Sequence, residues 1–166
     1  TFTYPVYNEG WDARIENNKL TVDRKPYPYL FWESLHLSAG VHKTDETYLN
    51  AYSVKTDTII SFLSSRLDEL GFNSTEKTDF ITYWAPLIKQ EKFALIQFSI
   101  DQEFDAFAPV QITPQPDFIR RVFINVQSSD QFMNLNTRPF KVTETERNGF
   151  VYIEWGGTIL KPDMKL

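Results

Sequence analysis

The sequence predicts an α+β fold, with a mainly antiparallel β-sheet and two helices in the middle of the chain. Short apolar or alternating segments punctuated by Pro, Gly and Asn fill the first third and the last half. Between them, apolar residues recur every three or four positions, the spacing of one helix face. The 166 residues, 42% hydrophobic and 16% aromatic with no Cys, suffice for a core of large rings without disulfides. No repeat, charge block or low-complexity tract divides the chain, so one domain over 1–166 is the economical organisation.

Residues 2–6, 11–16 and 19–23 are expected as strands opening a meander, with Asn17-Asn18 as the tight turn between the last two. Residues 27–33 continue as a strand, whose alternation sets Tyr29, Phe31 and Glu33 on one face and Leu30 and Trp32 on the other. Pro28 near its start fits an edge position. Over 56–70, Ile59, Ile60, Leu63, Leu67 and Leu70 make the face of a first helix, with Thr56 or Asp57 as N-cap and Gly71 as terminator. A second helix begins at Asn73, with Glu76 completing a capping box, and carries Phe80, Ile81, Tyr83, Trp84 and Leu87. Pro86 is expected to end or bend it. Residues 92–100, 110–113, 118–126, 139–143 and 150–155 follow as strands.

Seventeen Lys and Arg against twenty-two Asp and Glu give a formal charge of −5. The bases are scattered, so no nucleic-acid partner is expected, because phosphate affinity needs clustered cations. Apolar runs such as Ala94-Leu95-Ile96 fall far short of the ~20 residues of a membrane span. The chain opens at Thr1 without Met or a leader, as a processed product or an internal piece of a longer precursor would. A Cys-free chain suits an oxidising exterior, and extracellular or cell-surface residence is the expectation. Asn73-Ser74-Thr75 matches the glycosylation acceptor pattern.

Four blocks, at 29–33 (YLFWE), 79–86 (DFITYWAP), 114–123 (PQPDFIRRVF) and 149–157 (GFVYIEWGG), occur in this order. With them the chain resembles an uncharacterised family of bacterial and fungal proteins, often secreted or envelope-associated, over roughly residues 4–158. The resemblance supplies no activity. It implies an upstream β-like segment, rich in Val, Ile and Tyr, that is missing before residues 2–7. A sheet lacking a strand presents unpaired main-chain groups that another chain can fill, so assembly through a sheet edge is expected. Residues 2–6 serving as a closing edge strand is the alternative.

Glu33 and Glu154 each follow or precede a Trp at a strand end, and two carboxylates beside aromatic platforms suit glycoside hydrolysis when they share a cleft. A structural role for each Glu is the competing account. Arg121 lies on the face of Phe123 and opposite Val122 and Ile124, so a partner carboxylate, Glu33 or Glu154, is expected within reach; its use is a structural ion pair or a clamp for an acidic ligand. Glu33, His36, His42, Asp45 and Glu46 lack metal-site spacing, so no metal is expected, and no cofactor motif is present. Ser34 is the one serine with neighbours suited to nucleophilic work. Gly156-Gly157 is expected to permit a bulge or tight turn. Trp11, after Asn8-Glu9-Gly10, is the candidate exposed aromatic platform for a sugar, while Trp32, Trp84 and Trp155 are expected as structural core residues. The function these features favour is a structural or interaction module assembling with itself or another protein, leaning away from enzyme activity. A carbohydrate-binding protein, or a hydrolase using Glu33 and Glu154, is the alternative.

Overall fold

The computed structural model describes residues 2–17, 19–33, 50–137, 140–142 and 146–160. They group into two compact units, Thr1–Ser38 and Ala39–Leu166.

In the first unit, β1 (Thr3–Tyr4) pairs antiparallel with β5 (Phe31–Trp32). Between them runs a three-stranded meander of β2 (Ala13–Glu16), β3 (Lys19–Val22) and β4 (Lys25–Tyr27). Asp23 and Arg24 both hold positive φ (50° and 65°) in the link from β3 to β4, the conformation of a two-residue turn that matches strand twist. The strand expected over 27–33 is two pieces in different sheets. Pro28 has no N–H to give a ladder and restricts Tyr27 before it, so pairing stops there and resumes at Phe31.

The second unit is built on a four-stranded sheet in the order β6 (Ala51–Lys55), β7 (Phe93–Ile100), β8 (Phe118–Ser129), β9 (Val151–Leu160). Its pairs are antiparallel except β8 with β9, which run parallel from Phe118 beside Val151. Helices α1 (Ile59–Glu69) and α2 (Ser74–Ile88) supply Ile59, Leu63, Leu67, Phe80, Trp84 and Ile88 to a core shared with Ile96, Phe98, Val122, Ile124 and Val126. The fold class is therefore α+β with antiparallel pairing dominant. A short third helix, α3 (Gln102–Asp105), was not expected, nor was β6.

Local chemistry explains both helices. The Asn73 side chain accepts from Glu76 N–H and the Glu76 carboxylate accepts from Asn73 N–H, the reciprocal capping box. At the end of α1, Gly71 takes φ +77°, Gly71 N–H donates to Asp68 and Phe72 N–H donates to Leu67, the paired bonds of a Schellman motif. The N-cap of α1 is Thr58, without a side-chain cap bond, because residues 56–58 form a 3-10 turn and the Thr56 hydroxyl donates to Glu91 O (2.6 Å) instead. Pro86 neither ends nor closes α2, which continues to Ile88; so near the C-terminus the missing N–H forfeits a single helical bond. Ile60 and Leu87 are exposed, outside the narrower stripe that meets the sheet, and Tyr83 lies at its margin, part-exposed with its ring 6.0 Å from Trp155 of β9.

Residues 110–113 form no strand, nor do 140–142; the flanking positions 139 and 143 lie outside the described residues. Gly156 and Gly157 make neither bulge nor turn, since β9 passes straight through them in register with Phe123 and Ile124. A Cβ on Gly157 would stand 2.6 Å from Ile124 O and 2.7 Å from the Trp84 ring, so close approach of helix and strand is what requires glycine there.

Candidate functional site

Strand β8 brings two adjacent arginines into the interior, and alternation sends them to opposite faces. Arg120 lies on the face of Val122 and bonds Asp101 Oδ2 through Nη1 (2.6 Å). Arg121, 2% exposed, lies on the face of Phe123. Its Nε donates to Glu154 Oε2 (2.6 Å) and its Nη1 to Asp105 and to Ala108 O (2.8 Å), while the guanidinium stands 4.2 Å from the Phe104 ring centre. Tyr152 OH donates to the same Glu154 oxygen (3.0 Å). Of the two partners proposed from sequence, Glu154 is the one in contact with Arg121.

The carboxylates facing these arginines come mostly from the segment around α3. Asp101, at φ +48°, also accepts the Arg121 main-chain N–H (2.8 Å). Glu103 accepts from Asn50 Nδ2 and from Ile100 N–H. Asp101, Glu103 and Asp105 are thus each spent on the sheet's end. Their alternating spacing, followed by the paired arginines, was the available sequence signal for this cluster.

Electrostatics tie the cluster together, although the Asp105 side chain is half exposed. Burial works against the Arg121 charge, but hydrogen bonds and attraction from Glu154 and Asp105 outweigh it and hold its pKa above the ordinary value. Burial, the Glu154 charge and the hydrogen bond to it push the Tyr152 phenol well above the usual tyrosine range. Glu154, with a side chain 11% exposed, accepts from both residues. One Glu154 oxygen and the Nε and Nη1 groups of Arg121 are thus engaged within the cluster.

Glu33 belongs to the first unit, where it is exposed and its N–H donates to Phe2 O (2.8 Å). Ser34, His36, His42, Asp45 and Glu46 lie outside the described residues. Among the described residues, no group of three His, Cys, Asp or Glu could hold a metal ion.

The tryptophans divide differently from expectation. Trp84 is buried and Trp155 packs half-buried against the core, its ring 5.3 Å from Phe80. Trp32 is instead 44% exposed, because the two-residue ladder it sits in offers no second layer to cover it. Trp11 is the half-buried one: its Nε1 donates to Pro5 O (3.0 Å) and its ring lies between Tyr7 (5.2 Å) and Trp32 (6.3 Å). Phe2, Tyr4, Tyr7 and Tyr29 of the same unit are exposed as well.

The sheet's two edges are treated unequally. Outside β6, residues 133–137 run antiparallel to it but are tied by side chains, Met133 N–H to Ser53 Oγ (3.0 Å) and Thr137 Oγ1 to Ala51 O (2.7 Å). A groove of about 310 Å³, lined by Tyr52, Val54, Phe62, Phe132 and Leu135 among others, separates the two. Among the described residues β9 pairs with β8 alone.

No family model, curated protein or solved structure matches this chain. No described helix is long and apolar enough to cross a membrane.

Proposed function

We propose that this chain is an extracellular or cell-surface interaction module that self-associates by strand addition, pairing β9 antiparallel with β9 of a second copy. The observation that carries this reading is that, among the described residues, β9 is paired on one side only. Ten residues long, the strand contains neither Lys nor Pro, the residues with which proteins usually blunt such an edge. The β6 edge, by contrast, carries Lys55 and is screened by residues 133–137. Pairing two β9 strands about a two-fold axis joins two four-stranded sheets into one and makes roughly ten main-chain hydrogen bonds. The absence of Cys and the family resemblance support the location.

Light scattering across a concentration series tests it. The expected result is a dimer, with amide exchange in β9 slowing as concentration rises. Ile159→Lys, at an exposed position of β9, should leave a folded monomer. A strict monomer at high concentration, or association untouched by Ile159→Lys, would sink the proposal.

A second reading draws on the exposed aromatics of the first unit. Trp32 and Tyr7, braced by Trp11, form a platform on which a pyranose face can stack. Titration with soluble oligosaccharides should then shift tryptophan fluorescence, and Trp32→Ala should abolish the shift. The hydrolase version has less support, because Glu154 is committed to Arg121 and Tyr152.

A further inference from the structure

We propose that Asn73 is an N-glycan acceptor whose two side-chain atoms divide the work, Oδ1 capping helix α2 and Nδ2 carrying the sugar. The proposal rests on the extracellular reading above, since the donor is met in a secretory compartment. Asn73-Ser74-Thr75 is the one triplet of the acceptor pattern in the chain. All three residues are exposed, directly after the buried Phe72. Asn73 has extended backbone (φ −77°, ψ 174°), so the acceptor lies outside the helix that it caps.

The atom partition decides whether glycan and fold compete. Oδ1 accepts from Glu76 N–H (3.0 Å) and Asn73 N–H donates to Glu76 Oε2 (2.8 Å). Among the described residues, Nδ2 and the Thr75 hydroxyl have no hydrogen-bond partner. Glycosylation uses these two groups: the hydroxyl two positions on is read by the transferase, and Nδ2 is the nucleophile. Nδ2 forms a bond to C1 of the reducing-end sugar of a polyprenyl-pyrophosphate-linked oligosaccharide. The C1–O bond to pyrophosphate breaks, one Nδ2 proton passes to the transferase base, and the lipid pyrophosphate leaves. The product keeps Oδ1 as an acceptor, so the capping box survives.

The test is secretion of the full chain from eukaryotic cells behind an added signal peptide, read by intact and peptide mass before and after an endoglycosidase that leaves one N-acetylglucosamine. Because the signal peptide supplies the route, the result is independent of the natural location and of self-association. The expected result is a single glycan at Asn73, lost in Thr75→Ala, which spares the cap and should leave the melting temperature unchanged. The trimmed glycoprotein should melt with the unmodified protein from bacteria. A secreted chain without glycan, a glycan surviving Thr75→Ala, or a lowered melting temperature in the glycosylated form would each overturn the proposal.

Discussion

Arg121 is the most consequential single residue, because the part-buried Glu154, the half-exposed Asp105 and the ring of Phe104 all converge on it. Removing one partner of a buried pair leaves the other charge without compensation, at about 3–5 kcal/mol. Arg121→Met should therefore lose that much in urea unfolding, and a loss under 1 kcal/mol would contradict the buried-pair account. Tyr152 predicts a pH effect. Its folded pKa lies above the unfolded value of about 10, so its contribution is complete below that pH and falls as pH rises beyond it. Stability should decline above pH about 10, and Tyr152→Phe should flatten that decline. At β9, Gly157→Ala should cost roughly 1–3 kcal/mol through contact with Ile124 O and Trp84, whereas Gly156→Ala, with nothing nearer than 3.6 Å, should be close to neutral. Equal denaturation midpoints for the two would refute the close-approach explanation.

At the scale of elements, the two helices were legible because their signals are local. Leu63, Leu67 and Leu70 keep helical spacing, and a Gly and an Asn–Glu pair sit where chain reversal and capping demand them. Asn73→Ala should cost ~1 kcal/mol and Asn73→Asp much less, as read by thermal melting, since Asp also accepts from Glu76 N–H. Glu76 also forms a bidentate pair with Arg147, seventy-one positions away, a link that no local pattern discloses. The strand at 27–33 was misplaced because alternation describes a face but not a partner: Pro28 divides the segment between two ladders. Strand β6 was missed since five residues ending in Lys, with Ser at the centre, carry little periodicity, and its existence depends on β7 beside it.

For the whole molecule, the two units differ in how far their own side chains are covered. Among the described residues of the first unit only Pro5 and Val22 are buried, while the second holds the large apolar cluster between sheet and helices. Hydrogen exchange should accordingly show β2–β4 opening with a much smaller free energy than β7 and β8, and equal protection would argue against this division. The sequence by itself determined the class of fold, both helices with the Gly71 stop of the first and the Asn73–Glu76 capping box of the second, the core-forming strands expected over 92–100 and 118–126, and the demand that Arg121 find a carboxylate. Each follows from periodicity, turn chemistry or the cost of burying a charge, which act over a few residues or on one side chain. Only the tertiary structure decided that Glu154, Asp105 and Tyr152 meet Arg121, that Trp32 rather than Trp11 is the exposed ring, and that β9 lies parallel to β8. Those outcomes depend on register and on which segments lie side by side, and the free energies that select among pairings belong to contacts between residues far apart in the chain.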